Sequence, residues 1–203
     1  MLTLYFAPHT CALSVLIVLK WLDAPHKVEK VKLGDPAYQK LVPLGMVPAM
    51  TDDEGPIMTQ AAALLKYLVN KYPQAQLGSD GTLLGNYALD EKLSFLTGDF
   101  HPAFWPFFSP KRYTVNSDEE SIMAVKTASY ARVDRVMLEL DRQLDSTPYL
   151  LGQHRSIADA YAFTMARWAD YFPKTTRHYP NVHRFMQAMQ TDEGVQAALQ
   201  HQA

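Results

Sequence analysis

Cysteine is nearly absent from this chain: Cys11 is the one thiol in 203 residues. A single cysteine excludes an internal disulfide framework and a Cys-x-x-Cys redox pair, and it suits a reducing compartment, so a cytoplasmic protein is expected. Excess charge of either sign is also missing. Nineteen Lys and Arg against 21 Asp and Glu give a formal charge of −2, and no polybasic footprint argues for nucleic acid. The seven histidines are scattered, none at a zinc-ligand spacing such as His-Glu-x-x-His, so no metal is expected. Long apolar runs are lacking too. Met1 to Leu19 holds no Asp, Glu, Lys or Arg, but it has no basic n-region, and Pro8 and His9 interrupt it. It reads as mature folded sequence, neither signal peptide nor membrane span, and no membrane partner is expected.

What is present begins with the placement of that thiol. Leu2 to Phe6 reads as a strand, Ala7-Pro8-His9-Thr10 as a turn, and Cys11 to Leu22 as a helix. A thiol at a helix N-terminus faces unpaired N–H groups and the positive end of the helix dipole, which favour the thiolate. A buried structural cysteine is the alternative. Lys27 to Leu33 is apolar at every second position, a half-buried strand expected to run parallel to the first. Asp35-Pro36 opens a short helical segment. Pro48 to Thr51 and Pro56 to Thr59 flank Asp52-Asp53-Glu54-Gly55, a hairpin signal. Gln60 to Tyr72 is an amphipathic helix. The order is βαβαββα, a thioredoxin-like layout.

Beyond residue 73 the strand signals stop. Residues 74–83 are rich in turn formers and read as a linker between a domain at 1–73 and one at 84–203. The second is all-helical. Leu84 to Phe108 is helical in pattern, with a break or kink expected at Pro102 and Pro106. Asp118 to Leu144 is one long helix. Ser156-Ile157-Ala158-Asp159 forms a capping box before a helix expected from Asp159 to Tyr171. Pro180 opens a helix to Gln190, and Glu193 to Gln200 a last short one. The fold class is α/β followed by all-α.

This layout and four motifs resemble the cytosolic glutathione transferases. Leu4 to Leu13, with Cys11 after a small-residue turn, looks like the bacterial beta class. Gly45-Met46-Val47-Pro48-Ala49 matches that family's G-x-V-P-A/T segment. Met58-Thr59-Gln60-Ala61 resembles the pair that opens the third helix, and Ser156-Ile157-Ala158-Asp159 its S-x-A-D signature. The order and spacing carry more than any one motif.

The resemblance implies glutathione as cosubstrate and assigns roles. Cys11 contacts the glutathione sulfur or bonds to it. Val47-Pro48 is a cis bond whose Val47 N–H and C=O pair with the cysteinyl part of the tripeptide, as an added strand does. Gln60 and Ala61 receive the γ-glutamyl carboxylate at a helix N-terminus, although Ala61 lacks the hydroxyl of the Ser common there. His101 faces the sulfur from the second domain, and Asp99 orients it or binds the glutathione amine. Lys32, or equally Lys40, pairs with the glycyl carboxylate. Phe104, Phe108 and Trp168 line an apolar second-substrate site, while Tyr5 is a supporting group. A small hydrophobic electrophile is the expected partner, in conjugation or in disulfide or peroxide reduction, and the chain is expected to form a homodimer. The other reading keeps the same fold as a non-catalytic dimeric interaction or regulatory protein; Ala61, Pro43-Leu44 and Pro102 depart from the family pattern and favour it.

Overall fold

The computed structural model describes residues 1–202. Its first part runs β1 (Leu2–Phe6), α1 (Ala12–Trp21), β2 (His26–Lys30), α2 (Pro36–Leu41), β3 (Ala49–Asp52), β4 (Met58–Thr59) and α3 (Ala61–Lys71). The sheet order is β2-β1-β3-β4. β1 lies parallel to β2, with Leu4 opposite Val28, and antiparallel to β3, with Leu4 opposite Met50. β3 and β4 form the expected hairpin. β2 stops at Lys30, short of the Leu33 suggested by the alternation. Its neighbour β1 ends at Phe6, opposite Lys30, and the Val31 N–H makes the last bond, 2.8 Å to the Phe6 carbonyl.

α1 is apolar on every side, and Ala12 through Leu19 are all buried. A helix of that pattern must be covered all round. It packs against α3 of its own domain on one side and against two helices of the second domain, α7 (Ile157–Ala166) and α9 (Glu193–Leu199), on the other. Burying each of its Leu, Ile and Val side chains contributes roughly 1.5–3 kcal/mol, so the two halves share one core. Polar groups fix the contact at its far end. The Trp21 indole N–H donates to Asp192 at 2.7 Å, Arg155 pairs with the same carboxylate and lies 4.7 Å from the Trp21 ring centroid. Gly194 is required there, since a Cβ would come within 2.5 Å of the Trp21 ring.

The helical half also contains α4 (Leu83–Phe95), α5 (His101–Phe108), α6 (Glu119–Gln143) and α8 (Pro180–Gln190). The expected break at Pro102 does not occur. A single π turn, Leu96–Phe100, joins α4 to α5, and the His101 N–H bonds back to the Leu96 carbonyl. This shift of register lets Pro102 enter in the first turn of α5, where a missing N–H costs little. His101 keeps helical angles, φ −57° and ψ −48°.

α7 is buried at every residue and starts from the expected capping box. Ser156 donates to the Asp159 carboxylate from its N–H at 2.7 Å and from its hydroxyl at 2.8 Å, and the Leu150 N–H adds a third bond at 2.8 Å. Burial pushes the Asp159 pKa up to about 6 against the pull of these donors. α7 ends at Ala166, five residues before the sequence pattern suggests, and a tighter 3-10 turn carries Arg167–Tyr171. Among the described residues, no helix is long and apolar enough to cross a membrane.

Candidate active site

The turn between β1 and α1 is closed by its own side chains. The Thr10 hydroxyl donates to the Ala7 carbonyl at 2.6 Å and accepts from the Ala12 N–H at 3.3 Å. His9 stands at φ 60°, and its N–H donates to Gln202 Oε1 at 2.7 Å, so the far end of the chain holds this turn. Cys11 follows at the N-cap of α1. It is only 9% exposed, and its thiol donates to the Val47 carbonyl at 3.3 Å. Burial pushes its pKa up to about 12, with a backbone hydrogen bond opposing weakly. Of the two readings of Cys11, thiolate and buried thiol, burial favours the thiol in the free protein, since loss of hydration opposes the helix end.

The Val47-Pro48 peptide is cis, and Val47 is buried. The turn ahead of it lacks the side-chain amide common in the resembled family. The Gly45 N–H bonds to the Val42 carbonyl at 2.7 Å, and the Tyr38 hydroxyl bonds to the Met46 carbonyl at 2.9 Å. Tyr38 was not foreseen as a support. Gln60 caps α3 at φ 73° and ψ 113° without a side-chain cap bond; its side chain is exposed, while Ala61 behind it is buried. The first N–H groups of α3 have no intrahelical partner. Lys32 and Asp99 are exposed, and their side chains make no hydrogen bond or ion pair among the described residues; neither is drawn to Cys11.

The helical half contributes the opposite wall. His101 is half-buried. Its Nδ1 lies 3.1 Å from the Tyr161 hydroxyl, and its ring packs on Trp168 and Trp105 at 5.1 and 5.5 Å between centroids. Burial pushes its pKa down to about 4, so the imidazole is neutral at neutral pH. Tyr161 is buried, and its pKa is raised by burial first and then by charge on Cys11, which places it within electrostatic reach of the sulfur. Sequence reasoning missed Tyr161. The available signal was a phenol in a mostly apolar helix, because a buried hydroxyl needs a partner.

The aromatic cluster divides by depth. Phe104 is fully buried, edge-on to Trp168 and Phe172 at 5.7 and 5.4 Å; it belongs to the core, which corrects its expected place in a pocket lining. Phe108 is 43% exposed and meets Trp168 and Tyr171 at 5.4 and 5.8 Å. Trp168 and Tyr171, with Thr10, His9, Arg167 and Gln202, line a cavity of about 300 Å³ beside the Cys11 turn. A larger open groove of about 1180 Å³ follows the linker between α3 and α4, but none of its lining residues belongs to that turn.

A thioredoxin-like sheet with a thiol at its first helix, a cis-proline turn against the sulfur and a helical domain closing the cleft defines a recognisable class of two-domain thiol-handling protein. Comparison with known proteins makes this specific. Residues 10–76 match the glutathione S-transferase N-terminal domain model and residues 123–188 the C-terminal domain model. A glutathione S-transferase of Xanthomonas campestris pv. campestris is 31% identical over 200 residues, covering 97% of each chain. The structure of a bacterial beta class enzyme from Sphingomonas chungbukensis superposes with a TM-score of 0.86 at 32% identity, over 99% of this chain and 98% of that one. A sphingomonad glutathione S-transferase complexed with glutathione gives a TM-score of 0.86 at 29% identity, covering 98% of each. The chain belongs to the glutathione S-transferase family.

Proposed function

We propose that this protein is a glutathione transferase that lays reduced glutathione along Val47 and the N-terminus of α3 and presents its sulfur beside Cys11 to a hydrophobic electrophile. The observation that carries the reading is the 3.3 Å contact between Cys11 Sγ and the Val47 carbonyl. It puts the thiol against the backbone edge on which an added peptide strand would pair. An incoming cysteinyl N–H competes for that carbonyl and frees the Cys11 S–H to turn toward the glutathione sulfur. A thiol held protonated by burial serves there as a hydrogen-bond donor to the glutathione thiolate, so conjugation is favoured over a mixed disulfide on Cys11. The γ-glutamyl carboxylate docks on the first N–H groups of α3 and on Gln60. Tyr161 and His101 close the other side of the sulfur as neutral groups, adding hydrogen-bonding capacity without a charge.

The test is calorimetric titration with reduced glutathione, joined to the pH dependence of the thiolate ultraviolet absorbance of the bound tripeptide. Binding that persists in Cys11→Ala while the bound thiol becomes harder to ionise supports the reading. Absence of binding to the wild type would remove it and leave the non-catalytic interaction protein. We also propose a homodimer. Leu83, Leu84 and Tyr87 around α4, and Leu44 and Met46 beside the cis-proline turn, are exposed apolar side chains that a second copy would cover. Sedimentation showing only monomer at micromolar concentration would overturn it.

A further inference from the structure

Two half-buried arginines of this protein differ in their partners. Arg155 is paired with Asp192. Among the described residues, Arg167, at the start of the 3-10 turn after α7, makes no ion pair and no hydrogen bond; the Phe163 ring lies 6.0 Å from its guanidinium, and Asp170 and Tyr171 act on it only at longer range. Asp170 lines the same cavity but turns Oδ1 to the N–H and hydroxyl of Thr176, at 3.4 and 3.2 Å. A guanidinium stays charged, and leaving it partly desolvated without an acceptor is unfavourable. A second donor is stranded in the same cavity. Gln202 uses Oε1 for the His9 N–H, which leaves its amide nitrogen buried and without a partner among the described residues. Two donors without a hydrogen-bond partner among the described residues line one cavity of about 300 Å³, which leaves room for an acceptor from outside the protein. Beside them Trp168 and Tyr171, extended by Phe108, form an aromatic platform, and Thr10 places the cavity one residue from Cys11.

We infer that the second substrate is an acid: a hydrophobic, aromatic or unsaturated electrophile whose carboxylate is received by Arg167 and Gln202 while its apolar body lies on Trp168 and Tyr171. This rests on the glutathione transferase reading and narrows its substrate class. A bidentate guanidinium–carboxylate contact fixes orientation as well as affinity, and so aims the electrophilic carbon at the sulfur.

The test compares a chlorodinitrobenzoate with its methyl ester. In both, the glutathione thiolate forms a C–S bond, the C–Cl bond breaks, chloride leaves, and the thiol proton passes to solvent. The wild type should prefer the acid by kcat/KM. Arg167→Gln should lower kcat/KM for the acid about 10- to 100-fold and leave the ester within about twofold; Arg167→Lys should recover part of the loss through its charge. Gln202→Ala should act in the same direction and more weakly. Equal losses for acid and ester, or no preference in the wild type, would overturn the inference. Turnover is not the only readout. Unreactive dinitrobenzoate, titrated directly, should bind the wild type and not Arg167→Gln, and failure to bind the wild type also overturns it. Glutathione titration of the same variants separates the two claims: an unchanged glutathione affinity with no acid preference removes the anion site and leaves the transferase reading standing.

Discussion

The two walls of the cleft are built on different principles. The wall assigned to glutathione comes from Val47 to Ala61, and apart from the Gln60 side chain its features are main-chain ones: a cis peptide, a positive φ at Gln60 and the first N–H groups of α3. The opposite wall draws His101 from α5, Tyr161 from α7, Arg167 and Trp168 from the turn after it and Gln202 from the far end of the chain, and the recognition proposed for it is by side chains. Main-chain recognition tolerates changes such as Ala61 or Val42-Pro43-Leu44, because the groups that bind are not those that vary. Side-chain recognition does not, so this wall is where selectivity among second substrates can arise. Cys11 donates to the first wall from its thiol.

The comparison breaks most easily at Cys11. If its thiol is held by the Val47 carbonyl and by burial, raising its pKa from an ordinary 9.0 to about 12 leaves about a thousandfold less thiolate at neutral pH. The alkylation rate with iodoacetamide should therefore be far below that of a free thiol and should keep rising through pH 10. A plateau near neutrality would restore the thiolate expected from the helix position alone.

Next in size is Asp159→Ala. It strands the N–H groups of Leu150 and Ser156 and the Ser156 hydroxyl in the interior, and should cost about 3 kcal/mol in denaturant unfolding. Tyr161 hangs on the same helix, so the second wall depends on this one carboxylate. A loss under about 1 kcal/mol would show that α7 is held by packing alone.

Gln60 sharpens the contrast from the other side. At φ 73° and ψ 113° it holds a strained conformation, a state that persists where function uses it. Gln60→Gly should stabilise the fold by about 1 kcal/mol while weakening glutathione about tenfold through the lost side-chain contact. Gln60→Ala should weaken glutathione similarly without stabilising. Equal affinity in all three proteins would confine recognition to the main chain of α3.

These walls differ in the same way in how legible they are. Cys11, Val47-Pro48 and Gln60 lie in runs where proline, glycine and turn formers mark the backbone, so a short stretch of sequence carries the geometry. The βαβαββα order was readable for the same reason, while the end of β2 was not, because it depends on where β1 stops. Tyr161 meets His101, and Arg167 and Gln202 share one cavity, only after the helices pack and the last turn folds back to His9. No local pattern encodes that. Phe104 and Phe108 illustrate the limit within one helix: four residues apart, both touching Trp168, one is core and the other rim. Helical spacing gives the stripe, and depth is decided by what covers it.

The smallest expected effect tests how the two halves balance with pH. Asp159 has a raised pKa, from 3.8 to about 6, so the native state binds more protons than the unfolded one in that window, and its contribution to stability falls as pH rises. His101 is the reverse. Its pKa is lowered from 6.5 to about 4, so the unfolded state binds more protons; the stability it contributes is full above 6.5 and is lost as pH falls through about 4. His201, also lowered by burial, adds to the His101 side. The lowered carboxylates, Asp52 and Asp134 among them, act at lower pH. Between about pH 4 and 6 the opposing contributions largely cancel, and the wild type should show a nearly flat stability profile in denaturant unfolding. Asp159→Asn should unmask the histidine side, with stability rising with pH, and His101→Gln should unmask the carboxylate side, with stability falling. If both variants tilt the profile in the same direction, the buried groups on the two helices do not titrate as their surroundings dictate, and a neutral His101 beside Tyr161 could not be retained in the second wall.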